Sequence, residues 1–394
     1  MSEIVTFAIE SVLRSKTSFC KFISANDAGK TGGHQEGFYI PKNSIPLMFD
    51  SPRPIGINAE RFITINWQKK FETHSRFIYY GQGTRNEYRL TRFGKGFPYL
   101  TDEHVGDLFI LCHIGEDYYE GFILESDDDI EEFFTAFNIS SGDTNRLIDK
   151  GNVVTAPDQI LVCFKNYLQS LKTEFPVTIE LAYNARLCYN NSFGISDQMI
   201  KNRPDETLLN WLNAEFDLFK TIENDRYSSR IQTPFKTVEE LIECANTILN
   251  RRKSRAGKSL EHHLTEIFSK SEIKFDAQVV TEENKRPDFI FPGAGYYRDT
   301  SYDPGRLVFL AAKTTCKDRW RQVLNEADRI PEKHLFTLQQ GISTNQLTEM
   351  HNYNVKLVVP KPYVTCFPLP FQDRILTLEA FLIYVKGKQG VLPV

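Results

Sequence analysis

The chain has 394 residues, 41% of them hydrophobic and 13% aromatic, enough to bury a sizeable core in two or three domains and too apolar for a disordered or fibrous chain. A net charge of −4 gives no global signal for nucleic acid, and the acidic run Glu125-Ser-Asp-Asp-Asp-Ile-Glu-Glu132 points away from it, so DNA contact requires local basic surfaces. No run of about 18 apolar residues occurs, and Glu3 precedes any apolar leader, so a cytoplasmic protein without a membrane anchor is expected.

Short apolar or alternating runs come first: Phe62-Ile-Thr-Ile-Asn-Trp67, Phe77-Ile-Tyr-Tyr80 and Leu108-Phe-Ile-Leu-Cys112. Glycine-containing connectors separate them, so this part reads as mostly β. The segment Ser24 to Pro41 contains Gly29-Lys-Thr31, but Ser24 stands where a phosphate-cradling loop needs its first glycine, and a P-loop is rejected. In the segment Gly83 to Gly96, Arg85, Glu87 and Arg89 share one face of an extended chain. They offer two forked donors for guanine around an acceptor for cytosine, with His34, Tyr39, Arg92 and Lys95 nearby for phosphate or base contacts. The same alternation also serves to keep an exposed sheet edge soluble, and spacing alone leaves both readings open.

Residues 153 to 205 carry no Gly/Ser linker, and the expected division is 1–160, a hinge over 161–175, and 176–394. From Asp205 the period becomes helical, with Leu208, Leu209, Leu212, Phe216 and Phe219 on one stripe; Trp211 and Phe216 are expected in the core. A second helix is predicted from Thr237, where Glu240 suits a capping box. The basic run Arg251-Arg-Lys-Ser-Arg-Ala-Gly-Lys258 is expected just before a helix, as a phosphate contact or as a soluble connector. Strands are predicted at Pro287–Phe291, Leu307–Ala312, His334–Leu338 and Val355–Pro360, alternating with helices in an α/β sheet. Seven cysteines are scattered with no close pair, which fits reduced thiols better than disulfides or a zinc site.

The strongest chemical signal is Asp288 at the mouth of one strand, Lys313 at the end of the next, and Glu326 on the amphipathic segment Asp318–Asp328. Carboxylates hold a hard cation such as Mg²⁺, and an ammonium beside the attacking water favours hydroxide during phosphodiester hydrolysis. The usual acidic position two residues before the lysine is Ala311, so Glu326 is expected to supply that carboxylate from a helix. Lys317, Asp318 and Arg319 follow as base-edge donors and acceptor on a helix in the major groove, or as a solvated helix start.

The wording of Ala312-Lys-Thr-Thr-Cys-Lys-Asp-Arg-Trp-Arg-Gln-Val-Leu-Asn-Glu-Ala-Asp328 resembles the catalytic core of the EcoRII family of restriction endonucleases. So do Asn250–Glu261, Arg286–Pro292 and His334–Gly341, while Ser24–Pro41 and Gly83–Gly96 resemble that family's N-terminal domain. The resemblance implies a DNA-binding β-pseudobarrel, like that of plant B-three-type factors, ahead of a PD-(D/E)XK nuclease domain. It implies catalysis by Asp288, Lys313 and Glu326, with Asp288, Glu326 and Glu261 around Mg²⁺, and base reading by Lys317, Asp318 and Arg319. It further implies double-stranded DNA with a C-C-W-G-G-like site, flipped central bases and a homodimer through the catalytic domain. An effector domain would bind another copy of the site and restrain cleavage, and a cognate methyltransferase would share the site. Tyr88 and Gly83 stand where the family pattern has basic residues. Two other readings remain: a DNA-binding regulator with an inactive nuclease fold, and a structure-selective repair nuclease.

Overall fold

Strand alternation sorts the side chains of the N-terminal part into two cores, one on each face of a single sheet. The computed structural model describes residues 2–30, 37–83, 86–150, 157–282 and 285–390. The chain divides into two compact units. The first comprises Met1–Lys150, Gln339–Glu349 and Tyr363–Asp373; the second comprises Gly151–Leu338, Met350–Pro362 and Arg374–Val394.

In the first unit, α1 (Glu3–Arg14) is followed by β1 (Thr17–Phe22), β2 (Phe38–Ile40), β3 (Ala59–Trp67), β4 (Phe71–Tyr80), β5 (Glu87–Thr91), β6 (Leu108–His113), β7 (Tyr118–Leu124), α2 (Asp127–Phe137) and β8 (Arg146–Leu147). The strand order is β2-β5-β4-β3-β7-β6-β1-β8. The pairings are antiparallel except β3 with β7. Along β1 and β6, Phe19, Phe109 and Leu111 turn to one core with Phe38, Trp67 and Phe77. Their neighbours Cys20, Phe22, Leu108 and Ile110 turn to the other, which α1 and α2 cover with Val5, Ala8, Val12, Ile130 and Phe133. The acidic run is the start of α2: Ser126 caps it and Asp127, Asp128 and Asp129 occupy the first turn, where negative charge meets the positive end of the helix dipole.

The second unit opens with α3 (Asp158–Ser170), α4 (Thr178–Phe193), α5 (Asp197–Asn202), α6 (Pro204–Gln232) and α7 (Val238–Lys270). Pro204 at the first turn suits α6, and Thr237 caps α7 through its side chain and the Glu240 amide at 3.2 Å. Trp211 and Phe216 lie in the core, at 0% and 1% exposure. The expected hinge at 161–175 is instead occupied largely by α3, whose Ile160 and Phe164 join Leu181 of α4 and Leu218 of α6 in a common core. This packing also brings Cys163 and Cys188 to a Cα separation of 5.5 Å, and they form a disulfide. That corrects the expectation of unpaired thiols: a separation of 25 residues concealed a pair that two adjacent helices bring together.

The remaining elements are β9 (Asp276–Ala277), β10 (Phe289–Phe291), α8 (Ala294–Arg298), β11 (Val308–Lys313), β12 (Lys333–Thr337), α9 (Thr344–Asn352), β13 (Val355–Val359), α10 (Leu369–Gln372), β14 (Leu376–Thr377) and α11 (Leu378–Gln389). The sheet order is β14-β13-β12-β11-β10-β9, with β11 to β14 parallel and β9 and β10 antiparallel to their neighbours. Strands buried on both faces read as continuous apolar runs, as Leu307–Ala312 does. Asp205 ties this sheet to α6, because its carboxylate accepts from the backbone N–H groups of Lys361, Leu378 and Glu379 at 2.8 to 2.9 Å. Among the described residues, no helix is long and apolar enough to cross a membrane.

Candidate active site

Antiparallel pairing of β10 with β11 sets Phe289 opposite Leu310, which brings Asp288, just ahead of β10, to the end of β11 where Lys313 stands. The Asp288 Oδ2 accepts from the Ala312 backbone N–H at 2.8 Å and from Lys313 Nζ at 3.1 Å. Asp288 is 6% exposed, whereas the Lys313 side chain retains 27% exposure, so the pair is seated in the sheet with its ammonium reachable. The two-residue strand repeat puts Ala311 on the face of Lys313, and Ala311 is fully buried. A methyl group therefore fills the place of the usual acidic residue.

Sequence reading missed the residue that joins the other two carboxylates. Gln278 follows β9 with a left-handed φ of +54°, and its backbone N–H donates to the Asp288 carbonyl at 3.1 Å. Its side-chain Nε2 donates to Asp288 Oδ1 and to Glu261 Oε2, each at 2.9 Å. Glu261, on α7, also accepts from Lys258 at 3.2 Å. Burial first, and then the charge of Asp288, raise the Glu261 carboxyl above its ordinary value.

Glu326 reaches the site by another route than expected. Residues 320–325 form a short 3-10 turn, and Glu326 is the extended residue that ends it, not a position on an amphipathic helix. Ala327 then takes a left-handed φ of +50°. Burial, followed by the nearby Asp288 charge, pushes the Glu326 carboxyl up to about 7, against lowering by Lys313 and Lys333. Its Oε2 is buried with no hydrogen-bond partner among the described residues. A carboxylate oxygen without a partner, near the charge of Asp288, is the donor chemistry a hard divalent cation takes, so Asp288 and Glu326 fit one. The described group of His, Asp and Glu side chains with ligand atoms all within 4.8 Å lies elsewhere, at His104, Asp107 and Glu125 in the first unit. There His104 Nδ1 and Asp107 Oδ2 are hydrogen-bonded at 2.7 Å.

Lys333, the first residue of β12, is also a residue that sequence reading passed over. It is 5% exposed, burial lowers its ammonium to about 8, and Nζ donates to the carbonyls of Glu326 and Ala327. The available signal was the one that flagged Lys313: a lysine abutting an apolar strand needs a polar partner.

Lys317, Asp318 and Arg319 form a turn before the 3-10 segment, not a helix start; Lys317 is 9% exposed and Asp318 faces solvent. The basic run 251–258 lies inside α7, so no helix N-terminal amides accompany it. Its charges turn to ion pairs: Arg251 with Glu174 at 2.7 Å and Arg252 with Glu223 at 2.7 Å, while Arg255 is buried over the Phe216 ring.

In the first unit, β5 lies between β2 and β4, so its alternating charges do not protect an edge. Tyr39 pairs in register with Arg89, and Arg89 Nε stands 3.4 Å from Glu87 Oε1. Arg89 is 4% exposed and donates to the Gly37 carbonyl at 3.3 Å, so its guanidinium is drawn into the sheet. Arg92, with φ +64°, and Lys95 face solvent, Arg92 over the Phe62 ring at 5.5 Å. His34 and Arg85 lie outside the described residues. Tyr88 is buried against Tyr79, and its hydroxyl accepts from the Arg53 N–H at 3.0 Å, which accounts for an aromatic residue at that position.

Two family models match the chain: "Restriction endonuclease EcoRII, N-terminal" over residues 13–143 and "EcoRII C terminal" over 219–382. The type II restriction enzyme EcoRII of Escherichia coli is 35% identical over 416 residues, spanning 100% of both chains. The type II restriction enzyme SsoII of Shigella sonnei is 29% identical over 141 residues, 33% of this chain and 45% of SsoII. Among solved structures, metal-depleted Ecl18kI in complex with uncleaved, modified DNA aligns with 58% of this chain and 84% of its own, at 20% identity and a TM-score of 0.46.

Proposed function

Because the chain belongs to the EcoRII family of type II restriction endonucleases, we propose that it makes Mg²⁺-dependent double-strand cuts at a C-C-W-G-G-like site under control of its N-terminal unit. The observation that carries this reading is the Asp288–Lys313 pair on adjacent strands, with Gln278 linking Asp288 to Glu261. The second unit is read as a PD-(D/E)XK nuclease domain in which Glu326 takes over the position that Ala311 leaves empty.

Asp288 and Glu326 would hold the metal, with Glu261 beside them. When bound, Mg²⁺ supplies Lewis-acid polarisation of the scissile phosphate and a more acidic water. Lys313 Nζ, held at 3.1 Å from Asp288, would offer a donor to the attacking water and to the developing phosphoryl charge. Because Asp288 is buried, its charge acts more strongly on Lys313 than it would at an exposed position. Lys317, Asp318 and Arg319 are the proposed readers of bases in this unit.

The first unit is read as an effector pseudobarrel that binds a further copy of the site with His34, Tyr39, Arg85, Glu87, Arg89, Arg92 and Lys95. In the structure Arg89 is engaged with Glu87 and Gly37, so contact with guanine requires exchange of those partners. A homodimer through the second unit would place two active sites on the two strands, with a methyltransferase protecting the same site.

The test is digestion of unmethylated multi-site plasmid with Mg²⁺, beside Lys313→Ala and a metal-free control, with the ends mapped. Discrete metal-dependent fragments, absent with the variant, are expected. Specific binding without any cleavage would favour the second reading, a DNA-binding regulator with an inactive nuclease fold, for which the buried Ala311 is the supporting observation.

A further inference from the structure

We infer that Lys333 is the positioning residue of Glu326, setting where that carboxylate stands for the reaction without itself touching substrate or metal. The inference rests on the reading of Glu326 as a catalytic carboxylate. Glu326 ends a 3-10 turn and the next residue, Ala327, is left-handed. A non-glycine residue there costs on the order of 1 kcal/mol and persists only where surroundings hold it. Turn ends also leave carbonyls without partners, which favour a cation nearby.

Lys333 meets both requirements. Its ammonium donates to the Glu326 and Ala327 carbonyls, the latter at 2.7 Å, and its Nζ lies 5.2 Å from the centre of the Phe309 ring. Lys333 is pinned in turn, because it starts β12, pairs with Phe309 of β11 and donates its N–H to the Asn354 carbonyl at 3.0 Å. Phe309 lies on the same strand as Lys313, so one rigid element fixes both the catalytic lysine and the clamp on the migrated carboxylate. Downstream, Arg329 donates to the carbonyls of Tyr297, Asp299 and Tyr302, which secures the far end of the segment. A carboxylate that has left the strand for a turn needs such an anchor, since a turn alone does not hold a ligand to a fraction of an ångström.

The experiment uses the full chain with Lys333→Met, Lys333→Arg and Glu326→Gln. Cleavage is followed as a function of Mg²⁺ concentration, the shift in unfolding midpoint on Mn²⁺ addition is recorded, and specific DNA binding is measured without metal. Loss of a residue that orients a ligand costs about 10- to 100-fold in metal affinity or activity. Lys333→Met is therefore expected to raise the half-saturating Mg²⁺ concentration by about tenfold or more and to shrink the Mn²⁺ shift. Metal-free DNA binding should stay at the parental level, and Lys333→Arg, which keeps donors and charge, should recover part of the loss. Parental metal dependence in Lys333→Met, beside an inactive Glu326→Gln, would overturn the inference alone. Parental cleavage by Glu326→Gln would instead overturn the reading of Glu326. Equal loss of DNA binding and metal response, with no recovery by arginine, would assign Lys333 to strand stability and overturn the positioning role. If Lys333→Met does not fold, Ala327→Gly is added to it, because glycine carries no penalty at φ +50°, and a parental Mg²⁺ half-saturation in that double variant would likewise overturn the inference.

Discussion

Each unit contains a lysine–aspartate pair seated at its sheet, and the two are built for different ends. In the first, Lys21 Nζ stands 2.7 Å from Asp27 Oδ2 with side chains 6% and 0% exposed. Asp27 also accepts from Ser24 and from the Tyr39 N–H, and Lys21 donates to the Tyr39 carbonyl. Asp27 thus closes the turn after β1 and anchors β2, the strand that carries Tyr39. In the second, Lys313 and Asp288 are 3.1 Å apart with the lysine 27% exposed, and the partners of Asp288 are a strand amide and a glutamine that leads to another carboxylate. Both pairs share the same ionic chemistry; what differs is closure, and the open pair is the one suited to a substrate.

Exchanging the lysine or aspartate in each pair separates the two roles. Lys313→Met should lower the cleavage rate by roughly a thousandfold, in the range for a group that stabilises transition-state charge or moves protons. Its unfolding midpoint should stay near the parental value, because Asp288 keeps two other donors. Asp27→Ala should do the reverse, since breaking a buried pair leaves an uncompensated ammonium and costs about 3 kcal/mol or more. Urea unfolding should show that loss, while the Mg²⁺ concentration for half-maximal cleavage stays within about threefold of the parental value, well short of the loss expected at a metal site. A fall in stability with Lys313→Met as large as with Asp27→Ala would erase the distinction.

A smaller effect separates the two units by pH. Burial holds the Glu326 carboxyl at about 7, against an ordinary 4.5, so between these values the folded chain keeps a proton that the unfolded chain has released. Stability therefore falls as pH rises through that window, and the whole penalty stands above pH 7. Glu326→Gln removes it, and after a discount for partial exposure the metal-free variant should exceed the parent by about 1–2 kcal/mol above pH 7. Below pH 4.5 the two should coincide. A variant no more stable than the parent at high pH, measured with a chelator present, would contradict the burial of this carboxylate.

Much of the architecture was legible because it depends on local period. The alternating runs at 62–67, 77–80 and 108–112 are strands β3, β4 and β6, and the apolar runs about 289, 308, 334 and 355 are the strands of the second sheet. Asp288 and Lys313 could be paired from sequence because each sits at the end of such a run. Features fixed by chain return were hidden. Nothing local announces that Cys163 meets Cys188, that α7 runs on through the basic stretch at 251–258, or that Arg89 turns into the sheet. The segment 318–328 has a helical distribution of charge, yet Ala327 is left-handed because Lys333, six residues away in sequence, binds its carbonyl. Tertiary partners override weak helical preference there.

The gentlest test falls on Gln278, which neither period nor motif singles out. Its one amide nitrogen bridges Asp288 and Glu261 at 2.9 Å each, and a neutral donor between two carboxylates relieves their repulsion without neutralising either. Gln278→Leu keeps the volume and removes both bonds, so Glu261, already raised by burial and by Asp288, should rise further. Metal binding then has to displace a more tightly held proton. About tenfold more Mg²⁺ should be needed for half-maximal cleavage, corresponding to about 1.4 kcal/mol, with the requirement easing as pH rises. The Lys21–Asp27 pair offers no comparable adjustment, because its carboxylate is enclosed by fixed backbone and serine donors. A pH-independent metal requirement in Gln278→Leu would mean that the bridge holds β9 in place and leaves the proton affinity of the carboxylates alone.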